Sequence, residues 1–352
     1  MSELITEIYS QNIMNYDSYN QKIISLIGIL EGYLYKVSKK HFRNINSKKI
    51  EEVTLSELGL IYNNYFYKNT GMNGVCWEYA VFYAIYYNET YIQDLINMAI
   101  NYLSGENTCE RINAILWGAE KTTISLDNIK SSIKDDEMIW SPIKEYNFKD
   151  YIDLIKNSFY SKKLRDALPN NIKDIWKTDL FVKKESSNTW YAVTVKWNGH
   201  DVKYHEGLSI GIYFEFANSP KRTQNPYPIT NIMNKNYFVY CSIPFIFNFG
   251  EYYTYIFRLV NNILSKINCN KSNSMASTFA TGEEYNIFQY FYKNKDASCI
   301  QLIYYLKNYY SYYINTIESN EIILATDRKI TCNPFINTTL GEKEKGIKII
   351  PK

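Results

Sequence analysis

A chain of 352 residues, 46% of them hydrophobic and 21% charged, is long enough for one large domain or two ordinary ones, and its composition excludes a disordered protein. The 39 Lys and Arg residues nearly balance the 36 Asp and Glu residues, which leaves a formal net charge of +3. This balance excludes a strongly basic nucleic-acid-binding composition, so any contact with nucleic acid must use a local patch.

The N-terminal sequence predicts no signal peptide, because acidic Glu3 and Glu7 lie where a signal peptide carries basic residues. No uncharged apolar segment reaches the roughly 18 residues that a membrane helix needs. The 6 cysteines are scattered without a C-x-x-C pair, which predicts reduced thiols and no disulfides. We therefore expect a cytoplasmic protein that has no membrane partner.

Helices and strands are predicted from the spacing of apolar residues. Helical spacing is found in residues 2–40 (with a break near 16–18), 75–87, 90–103, 148–168, 252–267 and 284–317. Runs rich in β-branched and aromatic residues predict strands at 178–182, 190–197, 208–214 and within 237–249.

The change from helical to strand-like sequence near residue 170 predicts an α/β protein. We expect a helical N-terminal region followed by a central mixed sheet that is flanked by helices. The predicted division is a helical region at 1–70, an α/β core at 71–270 with a helical insertion at about 90–170, and a helical or mixed region at 271–352.

An aspartate and a lysine flank two predicted strands that are joined by a turn: Asp179 near the start of the first and Lys196 at the end of the second. Across an antiparallel hairpin, side chains come within about 5 Å of each other. A carboxylate there can hold Mg²⁺, which lowers the pKa of a bound water, and a neighbouring ammonium can neutralise charge on phosphorus. The pair therefore indicates phosphoryl chemistry, although Asp and Lys also flank strands by chance.

Residues 176–182, 190–198 and 207–212 together resemble the metal-binding sheet of PD-(D/E)XK-type nucleases. In that superfamily one strand carries an aspartate and the next carries an acidic-x-Lys unit. The resemblance implies a restriction-endonuclease-like fold and a Mg²⁺ or Mn²⁺ cofactor. It also implies a catalytic site in which Asp179 binds the metal and Lys196 is the motif lysine.

One position departs from the family, because Thr194 stands where the acidic residue of the motif is expected. A neutral hydroxyl is a much poorer ligand for Mg²⁺ than a carboxylate. Three interpretations follow: another acid, Glu206 or Glu185, completes the metal shell, the site holds one weakly bound metal, or the enzyme is inactive.

Residues 71–81 resemble the first core helix of the same family, which often carries a glutamate that turns toward the metal. Glu78 lies there between apolar neighbours, where a charged residue needs a reason. The resemblance implies that Glu78 is a second metal ligand and a third catalytic residue. The alternative is a structural glutamate, either solvated or paired with a base.

Residues 74–77 also resemble the cysteine site of papain-like and transglutaminase-like enzymes. A helix N-terminus lowers a thiol pKa, so Cys76 is a candidate nucleophile, with His200 or His205 as base and Asp201 as the orienting acid. No recognisable histidine motif surrounds either residue, and a buried cysteine is usually a small apolar filler.

A non-catalytic nucleic-acid-binding protein is the third alternative. Tyrosine-rich stretches at 252–255 and 309–313 offer surfaces on which bases stack, and residues 39–49 contain a small basic cluster. At helical spacing such tyrosines more often pack with one edge buried and the hydroxyl in water.

The sequence thus predicts a metal-dependent nuclease that acts on DNA, most simply double-stranded DNA, in a restriction or phage-defence role. A homodimer fits this prediction, because cutting both strands of a duplex usually needs two active sites. The sequence reveals no recognition sequence, no trigger and no preference between DNA and RNA.

Overall fold

The computed structural model describes residues 16–40, 50–67, 71–118, 121–141, 144–198, 209–214, 238–243, 249–269, 279–308 and 347–350. The helices are α1 (Tyr16–Lys40), α2 (Leu55–Ile61), α3 (Gly71–Tyr86), α4 (Thr90–Ser104), α5 (Thr123–Ser132), α6 (Ile152–Ser158), α7 (Lys162–Asp166), α8 (Phe249–Lys266) and α9 (Gly282–Lys293). The strands are β1 (Ile112–Leu116), β2 (Met138–Ile139), β3 (Leu180–Lys184), β4 (Thr189–Lys196), β5 (Ser209–Phe214), β6 (Phe238–Ile243) and β7 (Ile347–Ile350).

The sheet is mixed and open. Its order is β1-β3-β4-β5-β6-β7, with β2 paired beside the start of β4. Strands β3 and β4 form an antiparallel hairpin, whereas β4, β5 and β6 run parallel to one another. Helix α4 packs against β6 and β1. The predicted mixed α/β class, with a mixed sheet flanked by helices, is therefore confirmed.

Contacts divide the chain into two compact units, one within 1–80 and 252–327 and the other within 81–251 and 328–352. The second unit contains the sheet, and an apolar cluster fills one side of its hairpin. Large buried members of this cluster are Trp117, Phe148, Phe181 and Trp190. The domain boundaries predicted from the sequence stay a prediction.

In the first unit, two glycines on one face of α1 allow the helix to approach α3 closely. A Cβ atom on Gly28 would lie 2.4 Å from the Cα of Ala80, and one on Gly32 would lie 2.9 Å from the Sγ of Cys76. These four residues are spaced four apart on each helix, so they share one contact line. Glycine is required at both α1 positions because any side chain would push α3 away.

The structure differs from the prediction at two long helices, and it contains three strands that were not predicted. Residues 148–168 form a 3₁₀ turn, α6 and α7 rather than one helix, because Ser161 caps a new helix by accepting a hydrogen bond from the N–H of Leu164. Helix α9 ends at Lys293, and residues 299–308 form a separate helical stretch. Strands β1, β2 and β7 were not predicted.

Cysteine pairing also differs from the expectation. Cys109 is disulfide-bonded, so the prediction of no disulfides is wrong at this residue. Cys76, Cys241, Cys269 and Cys299 are free thiols. Within the described ranges, none of the helices combines the length and the apolar character that a membrane crossing requires.

Candidate functional site around Asp179

Three strands fix the backbone of Asp179, which lies immediately before β3. Its N–H donates to the carbonyl of Val193 on β4 (2.8 Å), and its own carbonyl accepts from the N–H groups of Trp117 and Gly118 just after β1 (both 2.9 Å). Gly118 has φ of 84°, a left-handed conformation that glycine adopts without strain. The sheet therefore holds the Asp179 side chain at a defined position beside the end of β4.

The carboxylate of Asp179 meets Lys196 at this position. Its Oδ2 accepts hydrogen bonds from the backbone N–H of Val195 (2.8 Å) and from the Nζ of Lys196 (3.0 Å). The Asp179 side chain is only 5% exposed, whereas that of Lys196 is 27% exposed. The structure thus brings together the two residues that the hairpin spacing predicted to be neighbours, and Lys196 is the one that faces solvent.

A second lysine, which the sequence did not indicate, also contacts Asp179. The Nζ of Lys121 lies 3.9 Å from Oδ1 of Asp179 and donates a hydrogen bond to the carbonyl of Gly118 (2.9 Å). Its side chain is 4% exposed. Two lysine side chains therefore flank the carboxyl group of Asp179.

Thr194 is buried beside this pair. It follows Val193, whose carbonyl accepts the hydrogen bond from the N–H of Asp179. The Thr194 side chain is 1% exposed, and its hydroxyl donates to the carbonyl of Lys177 (3.3 Å). A neutral hydroxyl that donates to a backbone carbonyl does not replace the missing carboxylate.

Of the two acids considered as substitutes, Glu185 is excluded by its position. It follows β3 directly, at the turn end of the hairpin, and it is exposed. Six residues of extended chain separate it from Asp179, a distance of about 20 Å. Glu206 lies outside the described residues, and so do His200, His205 and Asp201.

Glu78 lies in α3 and belongs to the first unit, whereas Asp179 belongs to the second. Glu78 is 6% exposed, so it does not lie on a solvated stripe of α3. Its role as a metal ligand stays a prediction.

Cys76 has the environment of a packing residue. It lies in the second turn of α3 rather than at the helix start, it is 0% exposed, and its Sγ donates to the carbonyl of Ile29 (3.5 Å). Burial, followed by the charge of Glu78, raises the pKa of this thiol well above its ordinary value. A nucleophilic cysteine needs the opposite shift, so these features support the apolar-filler interpretation.

The tyrosine-rich stretch at 252–255 is only partly available as a stacking surface. Tyr253 is 0% exposed, its ring packs edge-on against Trp77, and its hydroxyl donates to the carbonyl of Asn73 (2.8 Å). This tyrosine is therefore a core residue. The stretch at 309–313 lies outside the described residues, as does the basic cluster apart from the end of α1.

The donor set at Asp179 was compared with the needs of a divalent metal. Mg²⁺ is commonly held by one or two carboxylates, with water and substrate phosphate completing its shell. Asp179 is a single carboxylate that lies between the ammonium groups of Lys121 and Lys196, so the described donor set does not by itself fit a divalent metal. Within the described ranges, the surroundings of Asp179 included, no group of three or more His, Cys, Asp or Glu side chains is arranged to hold a metal.

Comparison with known proteins gives no relative: no family model, no curated protein and no solved structure matches this chain.

Proposed function

We propose that this protein is a metal-dependent nuclease of the PD-(D/E)XK type that hydrolyses phosphodiester bonds in double-stranded DNA. One observation carries the proposal: a buried carboxylate, Asp179, and a solvent-facing ammonium, Lys196, meet at 3.0 Å where β3 begins and β4 ends. A restriction-endonuclease-like arrangement of the sheet is part of the same proposal.

Each residue has a distinct role in the proposed reaction. Lys196 is exposed enough to contact a phosphate oxygen and to neutralise the charge that develops on phosphorus. Asp179 would hold Mg²⁺ or Mn²⁺ through Oδ1, since Oδ2 is already bonded to Val195 and Lys196. When bound, such a metal supplies a water of lowered pKa and polarises the phosphate.

The remaining features of the proposal follow from the same resemblance. A cytoplasmic homodimer that cuts foreign DNA, in restriction or phage defence, is the proposed biological form, because two sites are needed to cut both strands.

A non-catalytic nucleic-acid-binding protein is the second candidate, and the charge of the site favours it. Thr194 removes one negative charge relative to the family motif, and Lys121 adds one positive charge. Ammonium groups such as those of Lys121 and Lys196 attract a phosphate and repel a divalent cation. The two candidates differ in whether bound DNA is cut.

The test is nicking of supercoiled plasmid by the purified full-length protein, with Mg²⁺, with Mn²⁺ and with EDTA. The variants are Asp179→Asn and Lys196→Met, with the exposed residue changes Asp127→Asn and Lys156→Met as matched controls. Cys76→Ala separates the nuclease from a cysteine enzyme.

The proposal expects nicking that requires the metal, a loss of roughly 100-fold or more in both site variants, and activity close to wild type in both controls and in Cys76→Ala. Salt-dependent DNA binding without cutting would establish the second candidate instead. Loss of activity in Cys76→Ala, with activity retained in Asp179→Asn, would point to cysteine chemistry.

A further inference from the structure

Helix α7 (Lys162–Asp166) carries a concentration of positive charge. Its five residues include Lys162, Lys163 and Arg165 and a single acid, Asp166, which gives a net charge of +2, whereas the whole chain carries only +3. All three basic residues are exposed, and within the described part of the chain none of them forms an ion pair. Helix α7 is therefore a local basic patch of the kind that a protein of balanced composition needs for contact with nucleic acid.

Arg165 is held in a fixed position by its neighbours. Its Nε donates to the carbonyl of Ser158 (3.1 Å), and its guanidinium carbon lies 4.0 Å from the centre of the Trp176 ring. The indole N–H of Trp176 donates in turn to Oγ of Ser158 (2.9 Å), and Phe159 packs edge-on against the same ring. The two terminal nitrogens of the guanidinium donate to no described residue. A guanidinium that is held in this way presents both nitrogens to the oxygens of a phosphate.

Arg165 lies on the same side of the sheet as Lys196. Trp190 and Ala192 of β4 contact the apolar cluster beside the hairpin. Because side chains alternate along a strand, Lys196 lies on the face of β4 that Trp190 and Ala192 share. Trp176, on which Arg165 stacks, packs against the same cluster. The two cations therefore share one side of the sheet.

The Arg165–Trp176 pair is also close to Asp179 in the fold. Trp176 precedes Asp179 by three residues, so their Cα atoms are at most about 11 Å apart. Trp117 ties this segment to the sheet, since its backbone N–H donates to the carbonyl of Asp179 (2.9 Å) and its indole N–H donates to the carbonyl of Ile175 (2.8 Å). A separation on the order of 10–20 Å between Arg165 and the ammonium beside Asp179 follows, which roughly three to six base pairs of a duplex cover.

We propose that α7 is a backbone-binding surface of this protein: Arg165, together with Lys162 and Lys163, binds phosphates of duplex DNA beside the phosphate that Lys196 contacts. The inference rests on the proposed function, because it names part of the surface with which that protein binds its substrate. A nucleic acid fits better than an anionic membrane, since α7 has only five residues and membrane binding grows with the apolar area that a helix buries.

The experiment measures binding of the full-length protein to a fluorescently labelled duplex by anisotropy, at several salt concentrations and in EDTA so that no strand is cut. The first variant changes both lysines, Lys162→Gln with Lys163→Gln, and should fold normally because neither side chain has a partner among the described residues. The matched control removes two exposed lysines elsewhere in the second unit, Lys130→Gln with Lys144→Gln. Arg165→Gln and Arg165→Lys then separate the charge of the guanidinium from its shape.

Each lost phosphate contact should reduce the slope of log affinity against log salt by about 0.9. We therefore expect a slope smaller in magnitude by about 2 in the double lysine variant and by about 1 in Arg165→Gln, and an unchanged slope in the control. Arg165→Lys keeps the charge and the slope but should weaken binding several-fold, because a lysine does not form the bidentate contact. Melting temperatures check that all variants are folded.

An unchanged slope in both the double lysine variant and Arg165→Gln would overturn the inference, and so would an equal fall in the control. No binding of the duplex by the wild type, or binding only to vesicles that contain phosphatidylserine, would overturn it as well. Plasmid nicking reports separately on the proposed function. Metal-dependent nicking with unchanged slopes would refute the inference alone, whereas the expected slopes in a protein that never cuts DNA would refute the nuclease alone.

Discussion

The two ends of the β3–β4 hairpin hold lysines in opposite ways. At the turn end, Lys183 donates to Glu137 (2.5 Å) and Lys184 donates to Glu106 (2.9 Å), so each ammonium has a carboxylate of its own. At the other end, Lys121 and Lys196 both approach the carboxylate of Asp179, at 3.9 and 3.0 Å.

The lysines at the two ends of the hairpin also differ in burial. The side chains of Lys183 and Lys184 are 10% and 1% exposed, and further oxygen atoms complete their shells, as expected for structural ion pairs. Lys196 is 27% exposed. Exposure of the ammonium thus separates the structural end of the hairpin from the end where a lysine can still contact an anion.

The largest expected effect is a loss of stability at the turn end of the β3–β4 hairpin. Glu137 accepts hydrogen bonds from Lys183 and from the indole of Trp190 (2.8 Å), and its side chain is 2% exposed. Glu137→Gln leaves a buried ammonium without compensation, so we expect a loss of about 3 kcal/mol in the free energy of urea unfolding. The exposed change Glu145→Gln is the control and should alter it by less than about 0.5 kcal/mol.

The ion pair of Glu137 and Lys183 predicts that the free energy of unfolding depends on pH. Burial raises the pKa of Glu137, but the hydrogen bonds from Lys183 and Trp190 outweigh it and lower the pKa below the ordinary value of 4.5. The stabilisation by this carboxylate is therefore present above about pH 4.5 and is lost as the pH falls through its lowered pKa. A difference between wild type and Glu137→Gln that stays constant down to pH 3 would contradict the ion-pair account.

Lys184→Met should destabilise the protein less than Glu137→Gln does. Its ammonium donates to Asn101, Glu106 and Thr108, but Glu106 is 56% exposed and returns to water when the lysine is removed. The methionine keeps most of the buried stem, so we expect a loss of about 1–2 kcal/mol in urea unfolding. A loss as large as that of Glu137→Gln would show that burial of the lysine, rather than of the acid, decides the cost.

Asp94 contrasts with Glu137, because it is a buried carboxylate that forms no ion pair with the described lysines or arginines. Oδ1 of Asp94 in α4 accepts no hydrogen bond within the described part of the chain. Burial and then the charge of nearby Glu89 raise the pKa of Asp94 to about 7. Its contribution to stability is therefore fully present below about pH 4 and is lost as the pH rises through about 7.

Asp94→Asn should consequently stabilise the protein at pH 8, by on the order of 1–2 kcal/mol after allowance for solvent screening, and should have little effect at pH 4. Melting temperatures of wild type and variant across this range measure the difference. An equal effect at both pH values would mean that packing, and not ionisation, distinguishes the two side chains.

The smallest effect on stability is expected at the end of the hairpin that holds Asp179. Lys196→Met should change the free energy of unfolding by less than about 1 kcal/mol, because the lysine is partly exposed and Val195 still donates to Asp179. Its effect should appear in DNA binding, where the slope of log affinity against log salt falls by about 1. Fluorescence anisotropy of a labelled duplex measures this slope, and Lys156→Met should leave it unchanged.

The part of the candidate site that depends on local sequence could be predicted. A hairpin with β-branched and aromatic residues fixes its own register, and the register alone brings Asp179 and Lys196 together. Lys121 could not be predicted, because it reaches Asp179 only through the pairing of β1 with β3. Strand β1 contains Asn113 and Ala114, which are poor strand formers, and gives no clear local signal.

The limits of the fold prediction have similar causes. Periodicity located α4 within a residue at its C-terminal end, because its apolar face is continuous. It merged α6 with α7, since a serine cap between two helical segments interrupts the helix without interrupting the apolar spacing. The close approach of α1 to α3 at Gly28 and Gly32 is a tertiary requirement, and a single sequence gives it no distinct pattern.

The most direct test of the proposed site is the rate at which Asp179→Asn nicks supercoiled plasmid in Mg²⁺ or Mn²⁺, relative to the wild type and to Asp127→Asn, at a temperature where all three are folded. The account predicts metal-dependent nicking by the wild type and by Asp127→Asn, and a rate lower by roughly 100-fold or more in Asp179→Asn. Equal rates in Asp179→Asn and the wild type, or no cutting of duplex DNA, single-stranded DNA or RNA by the wild type with either metal, would contradict it.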